Sequence, residues 1–198
     1  MENIRKVTLR DLKEVVTIHL KSFQGFFLSF LGPKFLEIFY KGIISSPLGV
    51  GLVYINNNRV EGFICGAINP SDFFRYLLRK KWLHFSLASL KAILKKPSII
   101  YRIIRAKRRP SLSPKSKNKA ELMSIDVDPK AQSKGIGKIL VQHFIKELKY
   151  KGIQEVNLTT DRLNNEKVNE FYKKLGFTLK RYYTTPEGRE MNEYVIKL

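Results

Sequence analysis

The stretch that most constrains this chain is Gln132-Ser133-Lys134-Gly135-Ile136-Gly137-Lys138. It follows a strand-like run, Glu121 to Val127, and opens a helix-like run, Ile136 to Tyr150. Strand, glycine-bearing loop and helix in that order can hold an anion. The first amides of a helix lack partners within it, and they carry the positive end of the helix dipole. Gly135 and Gly137 place no side chain between those amides and a phosphate, while Lys134 and Lys138 add full charges. The same glycines also suit an ordinary strand-to-helix turn, and a short glycine motif does not decide between the two.

A second stretch lies downstream: Asn164-Asn165-Glu166-Lys167-Val168-Asn169-Glu170-Phe171-Tyr172-Lys173-Lys174-Leu175-Gly176-Phe177. Taken together, the two stretches resemble the GNAT superfamily of acetyl-CoA-dependent N-acetyltransferases. Gln132, Gly135 and Gly137 match that family's pyrophosphate-loop pattern. Asn165, Val168, Phe171, Tyr172, Gly176 and Phe177 match its later pattern. The resemblance is strong from about Ala120 to Leu198, looser over Met1 to Asn69, and absent between them.

Composition sets the outer bounds. At 198 residues the chain is expected to form one domain, 1–198, with a sizeable core. The single Cys65 has no partner for an internal disulfide or a thiolate metal cluster, which points to a reducing, cytoplasmic setting. No N-terminal signal and no apolar run of membrane-spanning length is read in the sequence. The formal net charge is +20. Pro70 to Asn118 holds 14 of the 37 basic residues and one of the 17 acidic ones, so the basicity belongs mainly to that segment.

The N-terminal part reads as a strand over Ile4 to Leu9, then a helix capped by Asp11 with Val15, Val16, His19 and Leu20 on one face. A second helix starts at Pro33, and a hairpin turns at Asn56-Asn57-Asn58. In the segment 70–118, aromatic and basic residues alternate up to Trp82. Helices are then expected over Leu83 to Lys95 and Pro97 to Arg108, followed by an exposed linker to Lys117. Three readings of this basic insertion stay open. It packs on the domain or on a second copy as a homodimer, it walls an anionic acceptor, or it contacts an anionic membrane surface. No recognised nucleic-acid module is present, so nucleic acid is not the expected partner. Beyond Ala120, a buried strand over Val156 to Thr160 should run parallel to Glu121–Val127, because a helix crosses between them. A helix from Asn165 ends at Gly176, and a hairpin closes the chain.

The resemblance implies an α/β fold: a GNAT-like mixed central sheet whose central parallel strands splay apart, with helices on both faces, here carrying a helical basic insertion. It also implies acetyl-CoA as cosubstrate. The pantetheine arm would bond to the backbone of Ile125, Asp126 and Val127, and the pyrophosphate to Gln132, Ser133, Lys134, Gly135, Ile136, Gly137 and Lys138. Asn165 would bond the cofactor or cap its helix. Tyr172 matches the family's general acid, although an aromatic at a helix end can be purely structural. Glu121 is the leading candidate for the base, with an exposed strand-edge carboxylate as the plainer reading. Asp126 is expected on the opposite face of that strand. His19, His84 and His143 read as surface or packing residues, and none falls in a metal or triad spacing.

The implied activity is direct acetyl transfer to a primary amine, with no metal. Ribosomal-protein alanine acetyltransferases resemble the C-terminal part but use a Glu where Thr160 stands, which argues against that substrate. The run Thr159-Thr160-Asp161 and Met191-Asn192-Glu193-Tyr194 resembles GNAT members associated with surface-polysaccharide amino sugars. A small, anionic, nucleotide-linked amino sugar is therefore the expected acceptor. A protein or peptide amine is the alternative within the enzyme class, and a non-catalytic basic binding module is the alternative outside it.

Overall fold

The computed structural model describes residues 3–23, 25–95 and 118–198. Its elements run β1 (Ile4–Lys6), a 3-10 turn (Leu9–Asp11), α1 (Leu12–Ser22), α2 (Phe27–Leu31), α3 (Pro33–Ser45), β2 (Gly49–Asn56), β3 (Arg59–Ile68) and α4 (Pro70–Lys95). Then follow β4 (Lys119–Val127), a 3-10 turn (Pro129–Ala131), α5 (Ile136–Tyr150), β5 (Glu155–Asp161), α6 (Glu166–Lys174), β6 (Thr178–Thr184) and β7 (Glu190–Lys197).

The strands form one seven-stranded sheet in the order β1-β2-β3-β4-β5-β7-β6. Among the described strands, only β4 and β5 are parallel neighbours. The antiparallel start follows from short turns. Between β2 and β3, Asn57 and Asn58 both take positive φ (47° and 59°), which their short polar side chains tolerate. Alternation along the strands divides the interior into two cores. One lies against α1, α3 and α4 and includes Val15, Phe39, Phe63 and Phe73. The other lies against α5 and α6 and includes Ile64, Leu140, Phe144, Tyr172 and Tyr194.

Two features of β4 position everything else. Its pairing with β5 stops after three pairs, the last being Glu121↔Asn157. Beyond that point β4 stays on β3 as far as Val127↔Gly62, and β5 stays on β7 as far as Asp161↔Met191. Each central strand is held by its outer neighbour, so a gap opens between them. The second feature is a bulge: Ser124 pairs with Cys65 but Leu122 with Gly66, leaving Met123 as the extra residue.

Some local expectations change. Asp11 does not cap α1 through its side chain. Its carboxylate instead accepts both guanidinium nitrogens of Arg5 at 2.7 Å and the Thr8 amide at 2.7 Å, fastening β1 to the turn. Helix α4 runs unbroken through Leu83, since no glycine or proline interrupts residues 71–95. The helix expected over 97–108 and the linker after it lie outside the described residues.

Candidate functional site

The gap between β4 and β5 continues into an open groove of about 640 Å³. Its walls are residues 122–127 of β4, residues 158–161 of β5, the last turn of α1 with Phe26 to Leu28, the start of α5, one face of α6, and Arg189 and Met191. Of the residues singled out in the sequence, Ile125, Asp126, Val127, Gln132, Gly137, Asn165 and Tyr172 line it together.

One end of the groove is the glycine loop. Gly135 is the N-cap of α5, with φ 77° and no side-chain cap bond, so the first α5 amides are left to whatever enters. Ser133 also has positive φ (66°), and Gln132 Nε2 donates to the Val127 carbonyl oxygen at 3.4 Å. These contacts fold the loop back against β4. Asp128 fixes its entrance by accepting the Lys130 amide at 3.0 Å and pairing with Lys21 of α1 at 3.0 Å. Ile136 points into the core, whereas Lys134 and Lys138 are exposed. A Cβ at Gly137 would sit 3.5 Å from the Phe171 ring, so the position tolerates a side chain sterically while facing the groove.

The opposite wall comes from α6. Tyr172 is buried among Phe171, Phe177 and Tyr194. Among the described residues its hydroxyl has no hydrogen-bond partner, and burial pushes its pKa above the usual phenol value, so it is a proton donor at neutral pH. Asn165 precedes α6 but does not cap it through its side chain. Its Nδ2 donates to Thr160 Oγ1 at 2.8 Å and to the Asp161 carbonyl at 3.0 Å, tying α6 to the open end of β5. Asn169, not singled out in the sequence, completes that tie. Its Nδ2 donates to the carbonyls of Asp161 and Asn165, and its Oδ1 accepts from Asn192 at 2.9 Å and Tyr194 at 3.0 Å.

The two carboxylates of β4 change places relative to expectation. Glu121 is buried (8 % exposed) at the last β4–β5 pair, behind the point where the groove opens, and it is not among the lining residues. Asp126 does line the groove. Strict alternation puts these two side chains on opposite faces. The bulge at Met123 shifts the count by one, so both share the face of their partners Ala67 and Phe63. Burial pushes the Asp126 carboxyl up to about 7, opposed by the Ser22 hydroxyl and the Val127 amide. The amide bond to Asp126 Oδ1 is 2.9 Å. The Ser22 hydroxyl is near but out of hydrogen-bond geometry, since Asp126 Oδ2 and Ser22 Oγ are both buried without a partner among the described residues.

His19 is neither a surface residue nor merely packing. It is 4 % exposed and lines the groove, with Nδ1 2.6 Å from the Tyr40 hydroxyl, which in turn donates to Ser124 at 3.3 Å. Burial lowers its pKa to about 4, so the ring is neutral. Its helical spacing with Val15 and Val16 marked the buried face but not the groove. Arg189 sits across the opening, bound by both nitrogens to Asp161 at 2.7–3.1 Å and stacked 5.1 Å from the Phe26 ring. Among the described residues, no cluster of three or more His, Cys, Asp or Glu could hold a metal. No helix among them is long and apolar enough to cross a membrane.

The groove fits an extended, amide-bearing chain that ends in phosphate. Among the described residues the inner edge of β4 beyond Glu121 has no strand partner, and the uncapped start of α5 lies at the far end of the same opening. The profile of the acetyltransferase (GNAT) family matches residues 13–177. The [ribosomal protein bS18]-alanine N-acetyltransferase of Escherichia coli K12 is 39% identical over 77 residues, which cover 37% of this chain and 51% of that protein. The chain thus spans about half the length of the curated relatives it matches. In three dimensions it is similar to the ribosomal-protein-S18-alanine N-acetyltransferase from Escherichia coli, with TM-score 0.59, 17% identity, and 100% and 94% of the two chains covered. It is also similar to Arabidopsis thaliana NAA60 in complex with acetyl-CoA, with TM-score 0.62, 14% identity, and 98% and 96% covered. The chain belongs to the acetyltransferase (GNAT) family, acyltransferases that take their acetyl group from acetyl-CoA.

Proposed function

We propose that this protein is an N-acetyltransferase that moves the acetyl group of acetyl-CoA directly to a primary amine. The observation that carries the reading is the early end of β4–β5 pairing, at Glu121↔Asn157, in line with the uncapped start of α5. When bound, acetyl-CoA supplies a thioester whose carbonyl carbon an amine can attack. The backbone of Ile125, Asp126 and Val127 holds the extended arm, and the amides at the start of α5 hold the pyrophosphate. Gly137 keeps that end open, and Asn165 braces the wall opposite.

Tyr172 gives its proton to the departing sulfur as the carbon–sulfur bond breaks. A phenol held neutral by burial does this without bringing charge into the groove. The amine loses a proton as its bond to carbon forms. Glu121, at the closed end, takes it through an intervening water. We also take residues 1–198 as one domain with a basic insertion at about 70–118. On its described part, α4, Leu83 and Leu87 are exposed on a helix that also bears Arg75, Arg79 and Lys80.

Because relatives of this chain are ribosomal-protein alanine N-acetyltransferases, an alanine amine of a protein is the first acceptor to test. A nucleotide-linked amino sugar is the second reading. It is favoured by Thr160, which lines the groove where a glutamate would be expected for the ribosomal substrate and is itself bonded to Asn165. The test is thiol release from acetyl-CoA against alanine-starting peptides, nucleotide-linked amino sugars and polyamines. Turnover on one class assigns the acceptor. Acetyl-CoA binding without any amine-dependent thiol release contradicts the enzymatic reading.

A further inference from the structure

On residues along the α1 side of the groove, three polar atoms are buried and have no partner among the described residues: His19 Nε2, Ser22 Oγ and Asp126 Oδ2. Their residues belong together. His19 and Ser22 stand three apart on the last turn of α1, one above the other. That turn is pinned to the end of β4 by the Lys21–Asp128 ion pair at 3.0 Å. Ser22 is close enough to Asp126 to influence its titration. Buried polar groups are nearly always satisfied, and a half-satisfied cluster is costly. Several such atoms facing one groove mark a place where something else supplies the bonds.

The character of the cluster says what that is. The Asp126 carboxylate, when ionised, only accepts. His19 Nδ1 is taken up by the Tyr40 hydroxyl at 2.6 Å, and in the tautomer with the ring proton on Nδ1, Nε2 offers a lone pair to the groove. Two acceptors and a hydroxyl that can rotate either way call for a ligand group rich in hydrogen-bond donors.

We propose that Asp126, His19 and Ser22 form an acceptor subsite that binds a primary ammonium or amine group of the substrate. The inference rests on the transferase reading above and deepens it by placing the acceptor on the α1 side of β4. The bound group donates to Asp126 Oδ2 and His19 Nε2, and Ser22 Oγ completes the ring of contacts. An ammonium there exchanges hydration for a buried carboxylate, an arrangement that selects amines over neutral polar groups of the same size. A reacting amine and a second, non-reacting amine of a larger acceptor share this chemistry.

The charged and titratable groups around Asp126 leave it available. From the turn after β4, Asp128 repels it but is paired with Lys21 of α1. From α1 comes neutral His19, and from α3 comes the Tyr40 phenol. Across the groove Arg189 is already held by Asp161.

The test has two arms. In the first, methylammonium chloride is titrated into protein carrying carbon-labelled aspartate, with sodium chloride at equal ionic strength as control and Asp126→Asn assigning the signal. The Asp126 carboxyl pKa is expected to fall by at least one unit with methylammonium and not with sodium. An equal response to both salts overturns the proposal whether or not an acceptor is known. In the second, Asp126→Asn and Ser22→Ala are assayed with saturating acetyl-CoA. KM for the amine is expected to rise at least tenfold for Asp126→Asn, with less effect for Ser22→Ala. For Ser22→Ala, acetyl-CoA affinity should stay within twofold, because Ser22 lies outside the proposed cofactor contacts. An unchanged KM overturns the subsite while leaving the transferase reading intact. Loss of acetyl-CoA binding by the wild-type protein overturns the transferase reading, and the methylammonium arm still decides the subsite. A reacting amine at the subsite lowers kcat as well, whereas a second amine moves KM alone.

Discussion

The proposed cofactor side of the groove is made by the backbone of one nearly continuous segment, residues 125–138, with the proposed phosphate end at 132–138, whereas the proposed amine end is assembled from side chains of α1, α3 and β4. The first end is backbone: strand edge, turn and helix start, with glycines where side chains would intrude. The second end is side chains brought together from residues 19, 22, 40 and 126. Backbone sites tolerate many sequences as long as the glycines stay. Side-chain sites can be retuned one residue at a time, so acceptor choice can change on a fixed cofactor frame.

The largest expected effect is at Tyr172, on the α6 wall that both proposed ends of the groove share. Tyr172→Phe removes only the hydroxyl, and kcat should fall roughly 10²- to 10⁴-fold, the usual loss for a general acid. Acetyl-CoA affinity should be retained, since the ring stays packed on Phe177 and Tyr194. Stopped-flow thiol release and calorimetry check the two halves of that statement. A parallel fall in affinity would make Tyr172 a packing residue.

At the amine end the signature lies in stability against pH. Asp126 has a folded pKa of about 7 against an ordinary 3.8, so the folded state holds its proton longer than the unfolded state. Its contribution to stability therefore falls as pH rises from about 4 to 7, by roughly 4 kcal/mol if the full shift is realised. His19, lowered to about 4 from 6.5, works the other way and adds stability as pH rises through the same range. In the wild type the two largely cancel. Urea denaturation of Asp126→Asn should show its stability relative to wild type growing between pH 4 and pH 7. A constant offset would mean that the Asp126 carboxyl is not buried as described.

At the phosphate end, Gly137→Glu sets a carboxylate against the start of α5 without a backbone clash. Acetyl-CoA affinity should drop about 100-fold, or about 2.7 kcal/mol, with little change in Tm. The smallest effect separates frame from function. Asn169→Ala leaves the Asn192 amide and the Tyr194 hydroxyl without their shared acceptor. It should cost about 1–3 kcal/mol by chemical denaturation, while the α5 loop stays intact.

The sequence was legible where chemistry is contiguous. Gln132, Gly135 and Gly137 sit within one loop and the helix start it feeds, and Asn165 through Gly176 within one helix and its flanking residues, so their spacing survives folding unchanged. The parallel β4–β5 pair followed from the helix between them, and Asn57-Asn58 announced their turn. It was illegible where a single residue changes parity. Nothing in Leu122-Met123-Ser124 signals that Met123 is a bulge, yet that bulge carries Asp126 onto the face of Glu121 and beside α1. His19 reads as a core position because it is one, and only the fold shows that this part of the core borders the groove. Asp11 reads as a helix cap, but Arg5, brought close by β1, takes its carboxylate.

The central claim is that the splay and the α5 loop together hold acetyl-CoA, and titrating acetyl-CoA into the wild-type protein by calorimetry tests it most directly. One saturable site, displaced by free CoA and accompanied by a rise in Tm, is the result the account predicts. No heat of binding and no change in Tm at saturating acetyl-CoA would contradict it.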